Sequence, residues 1–339
     1  MRAPTNFTLG KHTFPYGLLL APMAGFTDRA MRHISHRYGA ELTVSEMISA
    51  KALLFSDTKT LALSKIECDD GPTLLQIFGK EPETIARGIE KLSFTFRESK
   101  PLGIDINMGC PVPKVFKNGE GSALMREPEL IEKIVRAARE VSDLPISVKL
   151  RLGIDDEHKN VLECALRAEA GGAAFVAIHG RTRTQMYSGV ADWESIKNVK
   201  SALQIPVIAN GDVTSGESAV SILDATGADG LMVGRAAIGN PFLFSEILCA
   251  LKGETYTPPS LFERCEVAKE ELSIAISDKG EDIAVRESRG KIALYLHGFR
   301  GACALRARVH QARTFADVEE AFAIALSESV QDEPTTNAW

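Results

Sequence analysis

Residues 173–189 read AAFVAIHGRTRTQMYSG and residues 206–235 read PVIANGDVTSGESAVSILDATGADGLMVGR, and together they decide the fold. Three apolar runs, Ala174–Ile178, Pro206–Ala209 and Gly230–Val233, are each too short for a helix and too hydrophobic to alternate. Such runs predict strands of a parallel sheet buried on both faces. Glycine and polar residues follow each run at once, and helix-like stretches such as WESIKNVKSAL and GESAVSILDATG lie between them. The same unit recurs upstream, with runs at Leu18–Ala21, Leu42–Ser45, Thr73–Ile77, Gly103–Ile106 and Ile146–Leu150. Pro82 and Pro128 suit first helical turns, and Gly171 and Gly227 suit helix ends. Eight strand–helix units in about 230 residues predict a (β/α)8 TIM barrel, an α/β fold with a usual length of about 250 residues. A doubly wound open sheet would carry fewer strands and a Gly-rich first turn.

The pattern changes after residue 250. LKGETYTPPS reads as a linker, and from Leu261 to about Val330 the chain is helical in flavour with no strand-like run. The expected organisation is a barrel over residues 1–250, a linker over 251–260, a small all-helical domain over 261–330 and a flexible tail over 331–339. The composition is that of a soluble globular protein: 45% hydrophobic and 25% charged residues in 339, with a net charge of −6. Six scattered cysteines offer no closely spaced pair for zinc, so no metal is expected. With no secretory signal and no apolar run near the roughly 18 residues of a membrane span, a cytoplasmic monomer is expected.

Barrel enzymes place their chemistry at the carboxyl ends of the strands. Here those ends carry APMAGFTDR, Gln76, Asn107 and Cys110 in DINMGCP, Lys149 with Arg151, His179 in HGRTR, Asn210-Gly211-Asp212, and Gly234-Arg235. Any one of these polar residues has a structural explanation, but seven strands converging them on one rim point to a site. The glycines and Arg235 after the last two strands suit a phosphate, held by backbone N–H groups and a guanidinium. No GKS/T P-loop and no GxGxxG after a strand is present. Phosphate at that rim, Gln76 for a polar ring edge and Lys149 for a developing negative charge suit flavin mononucleotide (FMN), with Pro22–Ala24 passing along the ring.

The strings LLLAPMAGFTDRAMR, GIDINMGCPVPKV, ISVKLRLG, AIHGRTRTQMYSGVADW, IPVIANGDV and GADGLMVGRAAIGNPFLF resemble the tRNA-dihydrouridine synthases, most of all the bacterial B-type members. The resemblance runs in order over roughly residues 18–245. It implies an FMN barrel with a C-terminal helical domain, and NADPH-dependent reduction of uridine to 5,6-dihydrouridine in tRNA. Position by position it implies flavin contacts at Pro22, Met23, Ala24, Gln76, Lys149, His179, Asn210, Gly211, Asp212, Gly234 and Arg235. It makes Cys110 the proton donor and gives Asn107 a part in holding the uracil. Hydride addition at carbon 6 of the ring leaves charge on carbon 5, and a cysteine with an ordinary pKa of about 8.5 carries the proton required there.

The segment 286–313 carries seven basic residues against one acidic, Glu287, a local surplus of six that leaves −12 for the rest of the chain. A helix there would set Arg286, Arg289, His297 and Arg300 on one face, predicting a surface that tracks tRNA phosphates. Arg181 and Arg183 are expected to extend it toward the active site. Two other enzymes share parts of this pattern: an FMN barrel reductase or dehydrogenase for a free pyrimidine, and a Schiff-base lyase using Lys149. A non-catalytic RNA-binding barrel is a third reading.

Overall fold

The computed structural model describes residues 5–331 except 56, 97 and 98. Eight parallel strands close on themselves: β1 (Leu18–Leu20), β2 (Leu42–Val44), β3 (Thr73–Phe78), β4 (Gly103–Asn107), β5 (Ile146–Arg151), β6 (Phe175–His179), β7 (Val207–Asn210) and β8 (Gly230–Val233). Closure comes from β8 pairing with β1, Leu231 opposite Leu18 and Val233 opposite Leu20. The strands lack alternation because both faces are buried. Leu19, Leu42, Leu74, Phe175, Ile208 and Met232 fill the barrel interior, whereas Leu18, Leu75, Ile104, Val148, Val176 and Leu231 pack outward against the helices. Pro82 and Pro128 open their helices, and Gly227 ends one at φ +65°.

Two short elements escape a reading by hydrophobic runs. An antiparallel hairpin, Phe7–Leu9 with His12–Phe14, precedes β1. Phe7 stacks on Phe14 at 5.6 Å and meets the edge of Phe175 at 5.2 Å, so the hairpin plugs the amino end of the barrel. The pair Ile48–Ser49 extends the sheet beside the end of β3.

The last barrel helix runs Phe242–Lys252. Four further helices follow: α1 (Leu261–Lys279), α2 (Glu281–Ala293), α3 (Ala302–Gln311) and α4 (Phe315–Gln331). Ser260 starts α1 through a capping box with Glu263. Leu272, Val285, Tyr295, Val309 and Phe322 form the core of this unit, which Ile34 and Phe242 of the barrel share. Residues 332–339, the greater part of the expected tail, lie outside the described residues.

The helix expected through Arg286, Arg289, His297 and Arg300 is corrected by the structure. It ends at Ala293, and the chain turns at Gly298 (φ +77°) and Gly301 (φ +83°) before α3. Arg300 therefore stands on a turn, off the helix that carries the other two arginines. No helix among the described residues is long and apolar enough to cross a membrane.

Candidate active site

A cavity of about 840 Å³ opens at the carboxyl ends of the strands, and its floor is the barrel's interior layer at Ala21 and Met232. Every residue assigned to cofactor or catalysis from the sequence lines it: Pro22, Met23, Ala24, Gln76, Asn107, Cys110, Lys149, His179, Asn210, Gly211, Asp212, Gly234 and Arg235. The parity of the strands explains the gathering. Asp105 and Asn107 lie two apart on β4, as do Lys149 and Arg151 on β5, so each pair faces one side of its strand.

A chain of hydrogen bonds crosses from strand to strand below the cavity. Ser147 Oγ donates to Asp105 at 2.6 Å, Gln76 Nε2 donates to Asp105 at 2.7 Å, and Asn107 Nδ2 donates to Gln76 Oε1 at 2.8 Å. Asn107 Oδ1 then accepts from the Cys110 backbone N–H at 2.9 Å and fixes the turn that presents the thiol. The Cys110 carbonyl is held by Ser122 Oγ at 2.8 Å. Gly121 beside it lies at φ +61°, and a Cβ there would come within 2.9 Å of the Cys110 Cβ.

On the opposite side, Lys149 Nζ donates to Asn210 Oδ1 at 3.0 Å, and Asn210 Nδ2 donates to the Met232 carbonyl at 2.7 Å. Arg151 ties the cysteine turn to the loop after β6, donating to the carbonyls of Gly109 at 2.9 Å, Thr182 at 2.9 Å and Met186 at 2.8 Å. The guanidinium of Arg235 lies 4.5 Å from the centre of the Tyr187 ring.

The cavity carries a surplus of positive charge. Burial, then Arg151, lowers Lys149 to about 8, and burial lowers Arg151 to about 10. Burial and the surrounding Lys149, Arg151, Arg181 and Arg235 hold His179 far below its usual value, so its imidazole is neutral. Burial also pushes the Cys110 thiol up, keeping it protonated. An anionic ligand suits this array, because its charge offsets the burial and the mutual repulsion that lower Lys149 and Arg151.

The dihydrouridine synthase (Dus) family model matches residues 19–332. The chain belongs to the dihydrouridine synthase family. It is 40% identical over 314 residues to the tRNA-dihydrouridine synthase B of Vibrio cholerae, covering 92% of this chain and 94% of that one. It is 39% identical over 307 residues to a probable tRNA-dihydrouridine synthase of Rickettsia conorii, covering 89% and 91%. Morphinone reductase in complex with tetrahydroNAD shares the fold, with a TM-score of 0.51 at 13% identity over 76% of this chain and 93% of that one. A 2-naphthoyl-CoA reductase shares it with a TM-score of 0.56 at 14% identity, over 73% of this chain and 52% of that one.

Within this family fold, the arginines expected to meet RNA divide into different roles. Arg181 is corrected outright: its side chain is 2% exposed and donates to Asp212 Oδ1 at 2.7 Å and to the carbonyls of Ser188 and Gly189. It engages Asp212, the carboxylate among the described residues that line the cavity, and so leaves the positive charge of Lys149, Arg151 and Arg235 in excess there. Arg183 is turned inward, its guanidinium 4.0 Å from the centre of the Phe116 ring. Arg126 lies 4.6 Å from that same ring centre. Arg286, Arg289 and Arg300 are not among the cavity's lining residues, and Arg286 pairs with Asp282 at 2.6 Å. Lys291, counted in the basic surplus, is 3% exposed and paired internally.

Sequence reasoning left Tyr187, Phe26 and Leu294 out of the site, yet all three line the cavity. Tyr187 stood in the same string as His179, eight residues on. Leu294 carried no signal, because it comes from beyond the barrel.

Proposed function

We propose that this protein is a flavin-dependent tRNA reductase that converts uridine to 5,6-dihydrouridine, with FMN as its cofactor and NADPH as the reductant. The observation that carries the reading is a neutral, rigidly presented Cys110 thiol facing a buried group of cations across one cavity. The cavity fits FMN in its donor set. Arg235 and the backbone of residues 211–213 and 234–235 would hold the phosphate, Gln76 and Lys149 the polar edge of the ring, and Pro22–Ala24 its flank. When bound, the flavin supplies the hydride for carbon 6 of the uracil.

The chain's own groups supply the rest. Cys110 Sγ gives its proton to carbon 5, and Asn107 keeps the thiol's turn in place. His179, neutral among cations, serves as a hydrogen-bond partner rather than a charge. Lys149 and Arg151 balance negative charge that develops inside the cavity. The target base of a folded tRNA is stacked, so the nucleotide enters by extrusion. Exposed Phe26, Val112, Tyr187 and Leu294 stand at the cavity lining, where a single ring can be received. The reading places the enzyme in the cytoplasm with its tRNA.

The test is reduction of unmodified tRNA transcripts by the purified yellow protein with NADPH, with dihydrouridine mapped by position. A colourless protein, or RNA left unreduced, overturns it. A Lys149 lowered to about 8 also suits Schiff-base chemistry. Borohydride trapping separates the two, and no covalent adduct with a carbonyl compound is expected.

A further inference from the structure

Lys291 is the least expected residue of the helical unit. It sits on α2 in the middle of a segment that the sequence presents as a basic surface, yet its side chain is 3% exposed. Its ammonium donates to Asp28 Oδ1 at 2.9 Å and forms an ion pair with Glu271 Oε1 on α1, also at 2.9 Å. Glu271 is 2% exposed and its other oxygen accepts from the Tyr295 hydroxyl at 2.7 Å. Asp28 belongs to the barrel. It caps the helix Arg29–Arg37 by accepting from the Met31 N–H at 3.1 Å, and it receives Lys279 of α1 at 3.1 Å. Burial opposes the charge on both partners. Lys279 and Lys291 nevertheless hold Asp28 below the usual carboxylate range, and Glu271 and Asp28 hold Lys291 above the usual lysine value.

This cluster joins the two places that matter to catalysis. Asp28 comes one residue after Thr27, whose hydroxyl accepts from Met23 N–H at 2.8 Å and shapes the Pro22–Ala24 wall of the cavity. One helical turn past Lys291, Leu294 lines the same cavity. Between them Gly239, at φ +66° in the segment after β8, meets α2 so closely that a Cβ would lie 2.5 Å from the Leu294 Cβ and 2.8 Å from the Lys291 carbonyl. An apolar contact such as Ile34 and Phe242 against the helical core tolerates sliding. A buried ammonium between two carboxylates from different units does not, since displacement by an ångström or two leaves charges unpaired in the interior. Where burying ion pairs adds little to stability, their clearest use is to fix register.

We propose that Lys291 is a positioning residue: its bridge from Asp28 to Glu271 sets where the helical unit holds the RNA over the cavity, and thereby which uridine enters. The proposal rests on the tRNA-reductase reading above. The Asp28–Lys291–Glu271 strut acts through placement alone, because none of its three residues lines the cavity.

The test uses the flavin-loaded full chain and unmodified tRNA transcripts. Lys291→Met alone strands two buried carboxylates and is prone to misfold, so the deciding variant is Asp28→Asn/Lys291→Met/Glu271→Gln, uncharged throughout and still bearing a good cap at Asn. It is expected to fold and to bind flavin with an unchanged visible spectrum. On RNA, kcat/KM at the wild-type uridine should fall at least tenfold, with dihydrouridine appearing at a neighbouring position. Lys291→Arg, which keeps the charge and lengthens the arm, is expected to lower kcat/KM about threefold or more. Either folded variant reducing the wild-type uridine alone, within twofold of the wild-type rate, overturns the role of Lys291. Wild-type protein that reduces no uridine overturns instead the reading of the site.

Discussion

Cys110 stays a thiol for two reasons, its intrinsic acidity and a burial that raises its pKa further. Cys110→Ala is therefore expected to retain flavin and tRNA binding and to lose turnover by about 10²–10⁴-fold, the usual range for a general acid; single-turnover reduction of tRNA measures it. Lys149 gives a prediction with a sign. Its pKa in the free cavity is lowered to about 8, and a bound anion raises it again. Binding therefore takes up a proton once the pH exceeds about 8. FMN affinity should weaken as pH rises from 8 toward 10, by at most about one decade per unit, and Lys149→Met should flatten that part of the profile in an FMN titration. These residues were legible in the sequence because each is polar at the end of an apolar run. Arg181 was not. Its direction is decided by Asp212, a residue 31 positions away, which only the folded loops bring to 2.7 Å.

At the scale of elements, the strand positions and helix starts were readable because a doubly buried parallel strand and a proline at a first turn each leave a local signature. The three-residue hairpin strands leave none, and α2 stops at Ala293, ahead of Gly298 and Gly301 where the chain then turns. The loop carrying Pro113–Lys117 illustrates what only packing shows. Phe116 is clamped between the guanidiniums of Arg126 and Arg183, and the Cys110 turn lies at the base of this loop. Each cation–π contact contributes about 0.5–1 kcal/mol. Phe116→Ala should accordingly speed hydrogen exchange over residues 111–121 by roughly tenfold, and RNA binding should slow exchange there in the wild type; unchanged exchange in both would remove the clamp from consideration. Gly121→Ala, strained at φ +61° and pressed on the Cys110 Cβ, should lower turnover more than flavin binding, measured as kcat against bound-flavin absorbance.

For the molecule as a whole, the net charge of −6 conceals an uneven distribution, and the structure refines it. Lys291 drops out of the basic surface, whereas Arg300 and Arg313 are exposed and in no ion pair among the described residues. Arg300→Ala is expected to weaken tRNA binding alike for all sequences and to reduce the slope of log affinity against log salt by about 0.7–0.9, as loss of one phosphate contact should. Fluorescence titrations across a salt series read that slope. The union of barrel and helical unit was only partly legible, since no local pattern announces that a lysine in a basic run will be buried against the barrel. One last consequence comes from the small hairpin at the barrel's amino end. With Phe7 and Phe14 packed into the barrel's amino end, the described cavity lies at the opposite end, where Phe26, Tyr187 and Leu294 are among its lining residues. Under the proposed function a reducing nucleotide and an RNA strand would share that cavity, and they are expected to take turns in it, the first leaving before the second arrives. Steady-state lines of reciprocal rate against reciprocal RNA concentration, taken at several NADPH concentrations, should run parallel instead of converging.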